Sequence, residues 1–374
     1  MDNKISLYLH IPFCIKRCSY CDFVTHTDNS NTLIKNYVDK ICQEIESYLY
    51  ENLTLNTIFF GGGTPSVLKI EYLDQIFSSI NKTFNNNSVE TTIEINPVNL
   101  NRANLKKYLD LGINRLSMGV QTFNEELLKE VNRDHSLKDI YKTYYAAREA
   151  GFKNYNLDLI FGLPNQNIDI WQETLNKAME LQPEHISLYC LDLHDNTPLF
   201  TNVEAGVFKL PQEEETIKMY DLAINFLSEK GFIHYEISNW SKPNFYAKHN
   251  LAYWKNDDYI GVGVSAASYH NKSRYTNTSD ILEYLKLNDF NKNYVSQSQK
   301  EEIEETVFMG LRLLENGLDK NIFFKRFNIK FDDYYKNELK ELINKKLIHN
   351  NENFIKVKSE SIFISNDIFE YFIK

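Results

Sequence analysis

His10-Ile-Pro-Phe-Cys14-Ile-Lys-Arg-Cys18-Ser-Tyr-Cys21-Asp-Phe23 closes the first β-rich run of the chain, Ile5–His10, and crowds three cysteines into eight positions. Three thiolates at C-x3-C-x2-C spacing can wrap one metal centre from a single loop, and soft sulfur ligands suit zinc or an iron–sulfur cluster. A structural zinc site wants four protein ligands, usually as two separated pairs. No second pair exists: Cys42 sits inside a helical pattern and Cys190 inside a β-rich run, and both read as small buried hydrophobes. Three cysteines without an obvious fourth fit a [4Fe–4S] cluster with one iron left open to a small molecule. The competing readings are unliganded thiols or a zinc site completed by His10, His26 or Asp22.

Outward from this loop, short apolar runs alternate with amphipathic helical stretches. The strand expectations are Ile5–His10, Thr57–Phe60, Thr91–Asn96, Arg115–Val120, Asn154–Ile160 and His185–Leu191, each reading as a strand buried on both faces. Helical periodicity covers Leu33–Tyr50, Ile70–Phe84, Arg102–Leu111, Leu137–Ala150 and Ile168–Leu181, with Gly112 and Gly151 placed as left-handed caps. Alternation of this kind gives an α/β fold with a parallel sheet and helical crossovers. Six such units form either an incomplete (β/α)6 TIM-like barrel or an open doubly wound sheet. Residues 1–240 make up this α/β part. The alternation fails after Gly231, where short strands at His234–Ser238, Tyr259–Val262 and Ser268–Tyr275 are joined by loops containing Pro243, Asn244 and Asn271; 241–290 reads as an extension of the α/β part. A polar connector near Asn288–Lys300 leads to a small α+β domain over 300–374. There Glu301–Asn316 and Phe331–Lys345 read as helices, and Phe354–Val357 with Ile362–Ile364 as a hairpin, a winged-helix-like order.

Composition narrows the function classes. Of 374 residues, 41 Lys and Arg stand against 51 Asp and Glu, a net charge of −10. Nucleic-acid binding through bulk charge is therefore disfavoured, and Glu301, Glu302, Glu304 and Glu305 weaken a DNA-binding reading of the winged-helix-like part. No run of about 18 apolar residues offers a membrane span, which leaves only peripheral membrane contact open. Met1–Tyr8 carries no basic run followed by an apolar core, so no secretion signal is expected. Five cysteines, an odd and clustered set, do not form a disulfide framework. A cytoplasmic, reducing location is expected.

The cysteine loop resembles that of the radical S-adenosylmethionine (SAM) superfamily. Phe60-Gly-Gly-Gly-Thr-Pro-Ser66, Glu94-Ile-Asn-Pro97, Gly119-Val-Gln-Thr-Phe123 with Asn132-Arg133, and Asp158-Leu-Ile-Phe-Gly-Leu-Pro164 extend the likeness to the oxygen-independent coproporphyrinogen III oxidase-like group. Within that group His249-Asn-Leu-Ala-Tyr-Trp254, preceded by Tyr235-Glu-Ile-Ser-Asn239, is similar to the haem-chaperone branch. The resemblance implies a radical SAM partial barrel carrying a [4Fe–4S] cluster on Cys14, Cys18 and Cys21. It also implies SAM contacts from Tyr8, Glu94, Gln121, Arg133, Asp158 and the backbone at Gly62, Gly63 and Thr64. The residues have a reading of their own. Glu94, Gln121 and Asp158 lie at or just past the C-terminal ends of successive strands, where parallel α/β folds place their sites; helix capping explains each singly but not their shared edge. Glycines after a buried strand let backbone approach a ligand.

Two functions follow from the resemblance. One is a haem carrier that hands haem to recipients such as respiratory enzymes, acting as a monomer or homodimer. The other is an oxidase decarboxylating coproporphyrinogen III with SAM radicals. A haem-degrading methyltransferase of the same group ranks third, since such enzymes are longer. In the oxidases the cluster motif continues to a fourth cysteine, where this chain has Phe23. That substitution favours the carrier. By resemblance His249 is the expected axial haem ligand, with Tyr253 and Trp254 packing on the ring; taken alone, a histidine among aromatics reads as a hydrogen-bonded surface or core residue. One departure is Ala267 in Ser265-Ala-Ala267-Ser-Tyr269, where relatives carry a histidine, with His270 a weak substitute.

Overall fold

The computed structural model describes residues 4–98, 100–290 and 294–373. The expected connector over Asn288–Lys300 and the stretch Met1–Tyr8, read for a secretion signal, fall partly on Asn291–Asn293 and Met1–Asn3, outside the described residues. Six strands, β1 (Lys4–Ile11), β2 (Thr54–Gly62), β3 (Asn85–Ile95), β4 (Arg115–Gln121), β5 (Tyr155–Phe161) and β6 (His185–Cys190), lie side by side in sequence order, all parallel. With right-handed crossovers and no reversal of order, every helix falls on one face. A doubly wound sheet needs a switch point, so the partial barrel is the correct alternative. β7 (Ile233–Glu236) and β8 (Asn239–Ser241) continue the sheet antiparallel beyond β6. On the other side β9 (Tyr259–Val262) runs parallel to β1 and is followed by β10 (Ala267–His270), β11 (Ser273–Thr276) and β12 (Val295–Ser296). The twelve-stranded sheet ends at β7 and β12 and stays open.

Strand alternation sorts side chains into two environments. Leu116, Met118 and Val120 of β4 and Leu157, Leu159 and Phe161 of β5 pack in the main apolar core with helix residues such as Trp171, Leu175 and Ala178. The intervening positions point into the barrel and are largely polar: Arg115 and Ser117 on β4, Asn156 and Asp158 on β5, His185 and Ser187 on β6. These pair laterally in register, Ser117 beside Asn156 and Asn156 beside His185, and hydrogen bonds join Ser117, Asn156, Asp158, His185 and Ser187 to one another, as buried polar groups require.

Local signals account for the helix ends. The Leu137–Ala150 helix opens on a Ser136/Asp139 capping box and closes on Gly151 at φ 114°. A 17-residue helix over Glu213–Glu229, which the sequence reading omits, buries Met219, Tyr220, Ala223 and Leu227 and opens on three glutamates that suit its N-terminal dipole. Other expectations need correction. Ser268–Tyr275 is not one strand but the β10–β11 hairpin, turning at Asn271 and Lys272 with φ of 51° and 59°. The helix expected over Glu301–Asn316 covers Gln299–Gly310, and Phe331–Lys345 breaks at Tyr335 into two helices. The C-terminal sheet has the order β13 (Leu318–Asp319), β15 (Phe354–Val357), β14 (Ile348–Asn350). β15 therefore pairs with β14, while Ile362–Ile364 lies in a 3-10 turn. The C-terminal part docks on the outer edge of β7: Leu314 N–H donates to Tyr235 O at 2.9 Å and Ile237 N–H to Arg312 O at 3.2 Å. Among the described residues no helix is long and apolar enough to cross a membrane.

Candidate cofactor site

The loop after β1 is tied into a hoop. Cys14 N–H donates to His26 O (2.9 Å) and His26 N–H to Pro12 O (2.7 Å), while Ser19 N–H reaches Val131 O (3.1 Å). Arg17 closes the turn on Cys21 O at 2.9 Å, and Asn132 donates to Arg17 O at 2.9 Å. This brings Cys14, Cys18 and Cys21 to the rim of one cavity of about 390 Å3 at the C-terminal ends of the barrel strands. Thr64 Oγ1 donates to Cys14 Sγ (3.5 Å) and Arg133 Nη1 to Cys18 Sγ (3.2 Å). Burial pushes the Cys14 thiol up to about 11 and the Cys21 thiol upward as well, so thiolates here need a cationic centre.

The donor set, three cysteine sulfurs on one rim and no fourth cysteine in their loop, fits a cluster, whose irons sit at separate corners. Of the side chains considered for a zinc site, His10 is engaged through Nε2 with Val24 O (3.0 Å) and Asp22 faces His194 (3.4 Å).

The strand ends shape the rest of the cavity. Gly62 has φ 109°, and a Cβ there would meet the His10 ring at 2.7 Å; at Gly63 it would meet Pro12 backbone at 2.8 Å. The glycine turn thus lies flat against the start of the cysteine loop. A Cβ on Gly119 would meet Gln121 Nε2 at 2.8 Å and Arg133 Nη2 at 3.2 Å. Gln121 itself sits at φ 67° beside a register shift in the β4–β5 pairing, a strained conformation of the kind found at ligand sites. Arg133 is also held by Asn96 Oδ1 (2.9 Å) and Gly119 O (2.7 Å).

Two carboxyl groups share this cavity. Glu94 accepts from Gly62 N–H at 3.2 Å; burial, then the nearby Asp158 carboxylate, raises its pKa to about 8. Asp158 accepts from Ser117 Oγ (2.9 Å) and Asn156 Nδ2 (2.8 Å), and burial raises it too. Arg115 acts on both carboxyls through its charge, yet its Nε has no hydrogen-bond partner among the described residues. Two buried acids on one cavity wall suit a cationic ligand, and the sulfonium and ammonium groups of SAM are cationic.

Gly62, Gly63, Thr64, Glu94, Gln121, Arg133 and Asp158 all border this cavity. Tyr8 does not. Its hydroxyl meets His10 Nδ1 at 3.2 Å and it borders a second cavity of about 480 Å3. This neighbour shares Asp22 and Phe23 with the first and is walled by Tyr8, Tyr253, Trp254 and Tyr259, with Arg274, Met309, Ser265 and Ala267 on its border.

His249 requires correction as an axial ligand. It is 1% exposed, inside the Lys248–Trp254 helix, stacked on Phe59 at 5.1 Å. Thr57 Oγ1 gives its proton to Ser6 Oγ (2.9 Å), so His249 Nδ1–H donates to Thr57 (2.8 Å) and Nε2 accepts from the Tyr253 hydroxyl (2.8 Å). Neither ring nitrogen is free, and burial lowers its pKa to about 3. His270 is committed to Asp258 (2.8 Å) and Glu51 (3.3 Å). Cys190 also departs from expectation: it is exposed and borders the first cavity, whereas Cys42 is buried. The sequence reading missed Arg115, Ser117, Asn156 and His185. Their signal was a polar residue at every second position of strands otherwise rich in Leu and Ile.

Comparisons with known proteins agree with this geometry. Residues 8–178 match the radical SAM superfamily and residues 297–364 the HemN C-terminal domain. The chain is 36% identical to the heme chaperone HemW of Lactococcus lactis over 98% of this chain and 97% of that protein. It is 35% identical to the heme chaperone HemW of Bacillus subtilis, over 98% of this chain and 99% of that one. Among solved structures, Escherichia coli coproporphyrinogen III oxidase HemN, described as a radical SAM enzyme, superposes with a TM-score of 0.86 at 26% identity, covering 99% of this chain and 90% of that one.

Proposed function

The chain belongs to the radical SAM superfamily, in the family of the heme chaperone HemW, and on that premise we propose that it carries haem and delivers it to haem-dependent proteins such as respiratory enzymes. In this reading Cys14, Cys18 and Cys21 hold a [4Fe–4S] cluster, and SAM occupies the adjoining cavity. When bound, the pair supplies a low-potential electron and a sulfonium that the electron can cleave. The chain's own residues do the rest. Glu94 and Asp158 meet the ligand's positive charge, the Gly62–Thr64 backbone presents main-chain polar groups at close approach, and Arg133 bridges Cys18 to β4 through Gly119 O. Haem lies in the second cavity against Tyr8, Tyr253, Trp254 and Tyr259, where Met309 offers a thioether sulfur to iron; His10, also on the border, has both ring nitrogens engaged, with the Tyr8 hydroxyl and Val24 O. The protein acts in the cytoplasm, where its five unpaired cysteines stay reduced, as a monomer or homodimer.

Phe23 carries this reading. It stands where the oxidases have a fourth cysteine, is 62% exposed, and forms part of the rim common to both cavities, so it offers an apolar edge to a flat macrocycle. The likeness to HemN supports decarboxylation of coproporphyrinogen III as the second reading. Anaerobic reconstitution followed by separate addition of haem and of coproporphyrinogen III decides between them. Stoichiometric haem uptake with a shifted Soret band, weakened in Trp254→Ala, supports the carrier. Formation of decarboxylated porphyrinogen overturns it.

A further inference from the structure

The barrel interior holds a line of buried groups that neither cavity uses directly. It starts at Asp158 on the wall of the first cavity. Asn156 Nδ2 donates to Asp158 Oδ1 at 2.8 Å; Asn156 Oδ1 meets His185 Nδ1 at 2.6 Å; His185 Nε2 meets the Tyr235 hydroxyl at 2.8 Å; and Ala247 N–H donates to that hydroxyl at 3.2 Å. Ala247 is the N-cap of the Lys248–Trp254 helix, which presents Tyr253 and Trp254 to the second cavity. Asn156, His185, Tyr235 and Ala247 are all at most 2% exposed, so water does not compete for these bonds.

The chemistry of the groups fixes the direction of every bond. An amide oxygen only accepts, so His185 donates from Nδ1; its Nε2 then accepts, and Tyr235 must donate to it. Burial holds His185 well below its ordinary pKa, hence neutral, as this arrangement demands. All protons therefore point from the helix toward Asp158. In such a unidirectional chain each bond polarises the next, and the strength of the terminal acceptor is felt along its length. With the first cavity empty, burial pushes Asp158 toward its neutral form; a cationic ligand keeps it a carboxylate, the stronger acceptor.

We propose that the Asp158–Asn156–His185–Tyr235 chain couples occupancy of the first cavity by a cationic ligand to the hold on the Lys248–Trp254 helix, and so to haem affinity in the second. His185 and Tyr235 are positioning residues: they touch neither ligand. The proposal rests on the haem-carrier reading for its second half only. A separate attachment serves as the internal control, since Glu90 accepts from Lys248 N–H and His249 N–H at 3.0 Å each and stands outside the chain.

The test uses anaerobically reconstituted full-length protein with and without SAM. Two quantities are read: amide hydrogen exchange of the peptide spanning 247–254, and the haem dissociation constant from Soret titration. SAM is expected to slow the exchange and to tighten haem about 5-fold or more, the lower end of ordinary coupling between sites. Tyr235→Phe, which deletes only the bridging hydroxyl, should abolish both responses; His185→Gln replaces it if Tyr235→Phe does not fold. Glu90→Gln should loosen the helix overall yet keep the ratio between the two states. The coupling is refuted if SAM binds while wild-type exchange stays unchanged, or if the chain variants respond as wild type does. If exchange responds through Tyr235 but haem does not bind, the carrier reading fails and the coupling of cavity to helix stands.

Discussion

Replacing His249 by alanine separates an iron ligand from a buried strut. The imidazole is 1% exposed and makes two hydrogen bonds of 2.8 Å. On truncation, Thr57 keeps its bond to Ser6 (2.9 Å), whereas the Tyr253 hydroxyl loses its acceptor, which costs about 1–3 kcal/mol for a buried donor. The space left beside Phe59 adds the penalty of a large-to-small core change, and the two together come to about 3–8 kcal/mol. Urea denaturation of the cluster-free protein should show a clear loss of stability against wild type. Haem added to the variant while it remains folded should give the wild-type Soret position, because iron does not reach this ring. An unchanged denaturation midpoint combined with a lost axial-ligand spectrum would refute the reasoning, since it would require a ring free to leave its pocket.

Further expectations concern the first cavity. Gly119→Ala places a methyl against two side-chain ends, Gln121 Nε2 at 2.8 Å and Arg133 Nη2 at 3.2 Å; the fold should tolerate it, while SAM affinity by calorimetry falls about tenfold, or 1.4 kcal/mol. Because Glu94 is raised from 4.5 to about 8, the ligand-free fold holds a proton there that the unfolded chain has released, and this contribution to stability fades as pH rises through that window. A cation in the cavity reverses the preference, so SAM binding near pH 7 should release protons; calorimetry in buffers of different ionisation enthalpy checks this, and a null result removes Glu94 from the site. Cys18→Ser should abolish iron loading, whereas Cys190→Ser should leave iron content unchanged; equal losses would show that Cys190 ligates.

The six parallel strands were legible because each carries an apolar stripe on its outward face, such as Leu157, Leu159 and Phe161. Their inward face was not read, although Asn156, Asp158, His185 and Ser187 stood in the same runs, because a run of buried residues looks alike whichever partner covers it. Asn271 was legible as a loop residue, but Ser268–Tyr275 was not read as a hairpin, because Lys272 takes a positive φ that lysine rarely signals. The cysteine loop and the strand-end acids were found from spacing and resemblance. The depth of His249 was not, since a motif specifies which residues occur and not how far below the surface a ring lies.

The docking of Leu314 and Arg312 on β7 has a consequence for how the chain can be divided. An open sheet leaves a flank of main-chain donors and acceptors ready to recruit any extended peptide. On the β12 flank that template is only two residues long; on the β7 flank the carboxy-terminal segment occupies it. A truncated protein lacking that segment would keep its cysteine hoop and both acids but bare an adhesive seam, and self-assembly through it would mask whatever the isolated barrel can still bind.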